Sequence, residues 1–364
     1  MTKLRRNTPM PALRSSSRPG LRARTLAAVA AAVCLAPIAI TSEAGAAPTG
    51  TRPTQAIVGK VVPIAYLQTV AGSPGSGRAS LGQQPIGLAV GPGSTGLLIA
   101  DQGANAVRFL SSTGSESVDV GNGVPDYNGD GRPPTTASLI APTAVAVDHA
   151  HDVVFADTYS DRVRIVAAAN CASHCEFGLP STVAGDVYTV AGNGASGPPT
   201  SGGPAIKAAL NGPVGVAIDP SGDIVFADSY SNVVRLVANA SCSSNCPYGL
   251  ASTVAGDIYT VAGTANGTYG FTGDGGAATS AELAAPQGIA IDAAGDIVVA
   301  DSGVSSVQLV AWASCASACR YGLAPINRGD IYDLAGGSGV SGFSGDNGPG
   351  PSAHLGAAAG VGID

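Results

Sequence analysis

Six of the seven cysteines fall into three pairs of one spacing: Cys171 and Cys175, Cys242 and Cys246, Cys315 and Cys319, each C-x3-C. Two thiols four residues apart either close a small disulfide loop or offer two thiolates to a metal. Structural zinc takes four ligands, and only the first pair has a histidine beside it, His174. Six cysteines permit 15 connectivities. Because the pairs recur 71 and 73 residues apart, bonding within each pair is expected, since equivalent loops on separate repeats lie beyond disulfide reach. A loop of this size is worth about 2 kcal/mol on the chain-entropy account.

Other residues of reactive type are sparse. Each cysteine pair precedes an aromatic and Gly-Leu, at Phe177, Tyr248 and Tyr321. These rings either form a rim that grips a glycan or a protein loop, or cover their own disulfides. Asp126, Asn128 and Asp130 open a D-x-N-x-D-G calcium loop, but Ala137 holds the twelfth place, where a bidentate glutamate belongs, so this is a weak candidate. Asp101, Asp157, Asp228 and Asp301 recur behind Ala, with Arg108, Arg164 and Arg235 seven residues on. A ring of carboxylates could hold a cation, yet the commoner role of such a residue is to cap a turn. The four histidines, His149, His151, His174 and His354, occupy no shared position, and neither G-x-S-x-G nor a P-loop is present. No catalytic residue, no resident metal and no cofactor are assigned, and an enzyme is the less favoured reading.

The elements that carry these residues are repeats. Pro213–Asp219 reads PVGVAID and returns as PQGIAID at Pro286–Asp292, PTAVAVD at Pro142–Asp148 and PIGLAVG at Pro85–Gly91. A second run follows each, LLIAD ending at Asp101, VVFAD at Asp157, IVFAD at Asp228 and IVVAD at Asp301, then a third and a fourth. Runs of four to six β-branched residues bounded by Gly, Pro, Asp or Ser are strands, and four short antiparallel strands make a blade whose faces are buried only by stacking on other blades. The predicted fold is therefore all-β: a β-propeller of four-stranded antiparallel blades. These occupy about 85–121, 142–192, 213–263 and 286–336, with partial-blade strands at 64–72 and 359–364. Four full blades and two partial ones point to part of a five- or six-bladed ring. The first strands are expected to line the central channel, with small residues, Gly87, Ala144, Gly215, Gly288 and Gly360, at their middles.

These repeats resemble the NHL-repeat family of β-propellers, through P-x-G-[VI]-A-[VI]-D, the strand ending in Ala-Asp, and Y-T-V-A-G at Tyr188–Gly192 and Tyr259–Gly263. Ser305-Ser306-Val307-Gln308 departs from the usual Asn-x-[VI]-Arg. The resemblance implies loops presented to a protein or glycan, and a fold that fixes no activity by itself.

The first 46 residues read as a signal peptide: a basic start, an apolar run from Thr25 to Ile40, and Ala44-Gly45-Ala46. Residues 47–63 read as a linker. Sixteen apolar residues interrupted by Pro37 are short for a membrane span. Residues 1–46 hold seven of the 18 basic residues and one of the 25 acidic ones, so the remainder carries a net charge of −13. That sign repels phosphate backbones, and nucleic acid is not an expected partner.

The expectation is a secreted, extracellular, non-catalytic propeller scaffold that binds a protein or glycan through its blade loops, without a membrane span in the mature chain. Self-association through the incomplete ring is a further expectation. Two alternatives stand beside it: a metal-dependent propeller hydrolase or lyase whose ligands lie in missing blades, and an extracellular ligand-sensing ectodomain.

Overall fold

The computed structural model describes residues 84–323, 325–337 and 339–363. The chain divides into two compact units, and all of the described residues belong to the second, Val62–Asp364. The expected signal peptide, linker and 64–72 strand lie outside the described residues.

Among the described residues, sixteen strands form four separate four-stranded antiparallel sheets, each in simple meander order. The first sheet holds β1 (Pro85–Val90), β2 (Gly96–Asp101), β3 (Ala106–Ser111) and β4 (Glu116–Val120). The second holds β5 (Ala144–Val147), β6 (Val153–Asp157), β7 (Arg162–Val166) and β8 (Val187–Ala191). In the third are β9 (Pro213–Ile218), β10 (Ile224–Asp228), β11 (Val233–Val237) and β12 (Ile258–Ala262), and in the fourth β13 (Pro286–Ile291), β14 (Ile297–Asp301), β15 (Ser306–Val310) and β16 (Ile331–Ala335). Successive first strands lie side by side, β1 on β5, β5 on β9 and β9 on β13, so the four sheets are consecutive blades of a β-propeller.

The middle strands explain why the sequence runs apolar without alternating. A blade between two others buries both faces, so Ile224, Val225, Phe226 and Ala227 are all fully buried. Alternate residues go to different cores. Val154, Ile165, Val216 and Phe226 meet between the second and third blades, while Val225, Leu236, Ile289 and Val299 meet between the third and fourth. Leu98, Val107, Val145 and Phe155 fill the space between the first and second. Burying a side chain of this size contributes about 1.5–3 kcal/mol. On β1 the same-facing residues Ile86, Leu88 and Val90 are exposed.

The glycines at the middles of the first strands answer to the packing between blades. A Cβ on Gly215 would lie 2.1 Å from the Gln287 carbonyl oxygen, and one on Gly87 would lie 2.5 Å from that of Thr143. Glycine is there because neighbouring first strands meet backbone to backbone. A Cβ on Gly288 would likewise lie 2.8 Å from the Cα of Gly360. Residues 359–361 therefore take the place of a next first strand, although 359–363 form no strand. A strand needs a hydrogen-bonded neighbour on its outer side, and none of the described residues supplies one.

Candidate functional site

In each blade the first hairpin turn and the connection between third and fourth strands, a long loop in the second to fourth blades, lie at one end of the sheet. The turn between second and third strands and the crossing to the next blade lie at the other. The cysteine loops belong to the first end. All three pairs are disulfides, Cys171–Cys175, Cys242–Cys246 and Cys315–Cys319.

The three aromatics that follow them are not equivalent in exposure. Phe177 and Tyr248 are buried, and Tyr321 is half exposed. Tyr248 packs edge-on against Trp312 of the next blade, with ring centroids 5.2 Å apart, and its hydroxyl donates to the Gly295 carbonyl at 2.9 Å. Rings placed this way pin a loop to the neighbouring blade, and Phe177 and Tyr248 have no face left for a ligand.

The weak calcium candidate is spent on an inter-blade turn. Asn128 donates through Nδ2 to the Thr136 carbonyl and accepts from the Ser138 amide. Asp130 accepts from Thr189 Oγ1 at 2.9 Å and faces Arg164 at 3.6 Å, and Asp126 accepts from the Tyr127 amide.

The aspartates ending the second strands are buried caps with cationic partners. Asp157 accepts the Ile140 amide at 2.7 Å and faces Arg164 at 3.4 Å; Asp228 accepts the Asn211 amide and faces Arg235 at 3.3 Å. Arg164 and Arg235 are themselves fully buried and donate onward to the Gly129 and Thr200 carbonyls. Burial pushes both carboxyls above their ordinary range, while the guanidinium and the capped amide pull back. In the fourth blade Gln308 replaces the arginine. Asp301 still caps the Ala284 amide, but burial with Asp333 nearby raises it to about 7, and Asp333 is raised to about 6.

The exposed aromatics lie at the opposite end from the cysteine loops. Tyr159 sits in the Thr158–Ser160 turn joining β6 to β7, and Tyr230 in the Ser229–Ser231 turn joining β10 to β11; both are about 60% exposed. They are neighbours on adjacent blades, close enough for Tyr159 to raise the Tyr230 phenol. In the fourth blade Gly303 takes the tyrosine's place, and Tyr269 arrives from the inter-blade crossing to donate to the Gly303 carbonyl at 3.2 Å. Three exposed tyrosines thus occupy one end of three consecutive blades.

The turns that carry them are locked. Asp161 and Asn232 take the left-handed conformation that Asp and Asn tolerate, and each side chain reaches across to cap the entry of the next blade, at the Gly212 and Ala285 amides. These tyrosines were not singled out from the sequence. Their signal was the recurrence of Tyr-Ser behind the Ala-Asp strand end in two repeats.

The NHL repeat profile matches residues 283–308, which cover β13, β14 and part of β15. No curated protein matches the chain. Among solved structures, a streptogramin B lyase is 10% identical over 70% of this chain and 55% of its own, with a TM-score of 0.38. An auxiliary nutrient binding protein from Bacteroides ovatus is 18% identical over 60% of this chain and 46% of its own, with a TM-score of 0.41. A chain of a nidogen–laminin complex is 14% identical over 69% of this chain and 64% of its own, with a TM-score of 0.38. The chain spans about half the length of the solved structures it matches. At such distances the likeness says nothing of ligand or reaction.

Proposed function

The chain belongs to the NHL-repeat β-propeller family, and we propose that it is an exported, non-catalytic scaffold that binds a protein or glycan at the tyrosine-bearing end of its blades. The observation that carries this reading is the row of Tyr159, Tyr230 and Tyr269, solvent-facing rings on rigid turns of consecutive blades. Amphipathic rings with few rotatable bonds are the side chains that bind sugars and protein loops at small entropic cost. Export is supported by the N-terminal pattern of residues 1–46 and by the three disulfides, which persist in oxidising compartments. Among the described residues no helix is long and apolar enough to cross a membrane.

The test is a glycan array and a panel of extracellular proteins probed with the purified chain. A ligand found this way should bind at least tenfold more weakly to the double variant Tyr159→Ala, Tyr230→Ala, with the melting temperature unchanged. Undiminished binding by the variant would overturn the assignment of the face, and turnover of the bound glycan would move the protein to the hydrolases or lyases.

A further inference from the structure

The other end of the blades carries a repeated pair of acids. Each of the second to fourth blades has two aspartates five positions long across its first hairpin turn: Asp148 and Asp152, Asp219 and Asp223, Asp292 and Asp296. All six are buried to more than nine-tenths. One oxygen of each is used identically. Oδ1 of the first accepts amides of its own turn, as Asp148 does from Ala150 and Asp152 and Asp292 does from Ala294 and Asp296. Oδ1 of the second reaches the strand behind, at Ala168, Asn239 and Trp312. The Oδ2 atoms face the residues that follow the second cysteine of the disulfide loop; in the fourth blade Tyr321 donates to Asp292 Oδ2 at 3.2 Å.

That residue differs in charge from blade to blade. In the fourth blade it is Arg320, whose guanidinium lies 3.2 Å from Asp292 Oδ2 and 2.7 Å from Asp296 Oδ2. The pair there holds a cation supplied by the chain. In the third blade the position is Pro247, which offers the buried Asp219 and Asp223 no charge. Burial and mutual repulsion lift Asp219 to about 7, and burial lifts Asp223 to about 6. In the second blade the position is Glu176. One oxygen from each of Asp148, Asp152 and Glu176 lies within 4.8 Å of the other two, and the second oxygens of Asp148 and Asp152 have no hydrogen-bond partner among the described residues.

We propose that Asp148, Asp152 and Glu176 form a binding site for a hard divalent cation, calcium foremost, in the place that the Arg320 guanidinium fills in the fourth blade. Two facts independent of the acidic cluster point to it: the twin pair in the same chain holds a cationic group, and each buried aspartate of the second blade leaves one oxygen unused. Three carboxylates this close repel one another, a repulsion that His149 beside Asp148 only partly offsets, and an all-oxygen donor set of this charge suits calcium, with water completing its six to eight ligands. The Cys171–Cys175 disulfide holds Glu176 in place from the adjoining residue. The site differs in position and residues from the D-x-N-x-D-G segment at Asp126–Gly131.

The experiment is isothermal titration of the chelator-treated protein with calcium chloride, paired with melting curves with and without calcium, on the wild type, Glu176→Arg and Arg320→Glu. The wild type should bind one equivalent with a sub-millimolar Kd and melt higher with calcium. Glu176→Arg copies the fourth blade, so it should lose the binding at least a hundredfold while melting at or above the calcium-free wild type. Arg320→Glu copies the second blade and should bind a second equivalent. Absence of wild-type binding at 10 mM calcium overturns the proposal, and so does binding that Glu176→Arg leaves intact. Should Arg320→Glu fail to fold, the wild type and Glu176→Arg decide the matter alone.

Discussion

Replacing Gln308 with arginine should make the protein more stable above neutral pH and less stable in acid. The position is already defined by its counterparts: Arg164 pairs with Phe155 across the strands, Arg235 with Phe226 and Gln308 with Val299, all in one register. Both arginines are fully buried and face the strand-end aspartate. In the fourth blade Asp301 is without that partner and rises from 3.8 to about 7, with Asp333, opposite Gln308 on β16, rising to about 6. A carboxyl whose folded value exceeds its unfolded one stabilises the fold fully below the unfolded value, and that contribution is lost as pH rises through the folded value. Wild-type stability should therefore decline from about pH 4 to about pH 8. For Asp301 alone the full decline is about 4 kcal/mol, at roughly 1.4 kcal/mol per pH unit of the lift.

A guanidinium between Asp301 and Asp333 favours both ionised forms and recovers part of that loss, the remainder being the cost of taking a third charge out of water. A net gain of about 2 kcal/mol at pH 8 corresponds to a melting temperature about 3 °C higher in a chain of this size. Near pH 4 both acids are protonated, the arginine is buried beside neutral partners, and the variant should melt below the wild type. The assay is thermal unfolding by circular dichroism from pH 4 to 9 on the wild type, Gln308→Arg and Gln308→Met. The melting curves of the arginine variant and the wild type should cross between pH 5 and 7, and Gln308→Met, which removes the amide that donates to Asp333 at 3.0 Å, should steepen the wild-type slope. A difference between Gln308→Arg and the wild type that does not change with pH would refute the reasoning.

Two other perturbations read the packing directly. Gly215→Ala places a methyl against the Gln287 carbonyl between the third and fourth blades and should destabilise by about 3 kcal/mol in chemical unfolding, whereas Gly360→Ala, where nothing lies within 4 Å, should change stability little. The pair Cys242→Ser, Cys246→Ser should cost about 2 kcal/mol and shift the emission of Trp312, the chain's one tryptophan, because the freed loop carries the Tyr248 ring that packs on it; the corresponding change at Cys171 and Cys175 should leave that emission alone.

The blades were legible because their physical requirement is written in each repeat. A strand buried on both faces needs an unbroken apolar run, and one that ends in a capped turn needs an aspartate there. Ile224–Asp228 states both within five residues. The disulfides were legible for the same reason, since a spacing of four within a repeat needs no knowledge of the neighbours. What the neighbours decide was not legible. Phe177, Tyr248 and Tyr321 share one motif, yet the first two are buried and the third is half exposed. The next blade's loop closes over the first two, with Gly178 against Gly256 and Gly249 against Gly329, while Gly322 has nothing within 4 Å. The reason for the glycines in the first strands was not legible on the same ground: their small size answers to the backbone of the following blade.

The divergences between repeats carry the rest, because the backbone around them is held constant. Where Arg becomes Gln at 308, the facing residue changes from Thr189 and Thr260 to Asp333, so the fourth blade exchanges a buried ion pair for two carboxyls that hold protons near neutrality. At the other end of the sheets, Arg320 gives way to Pro247 and then to Glu176, while the two aspartates beneath stay put. Packing alone does not ask for a change of sign at a fixed position over a fixed pair of buried acids. It needs an external counter-charge or a bound proton, and a buried cluster that answers to cations or to pH is a property of the individual blade and not of the repeat that built it.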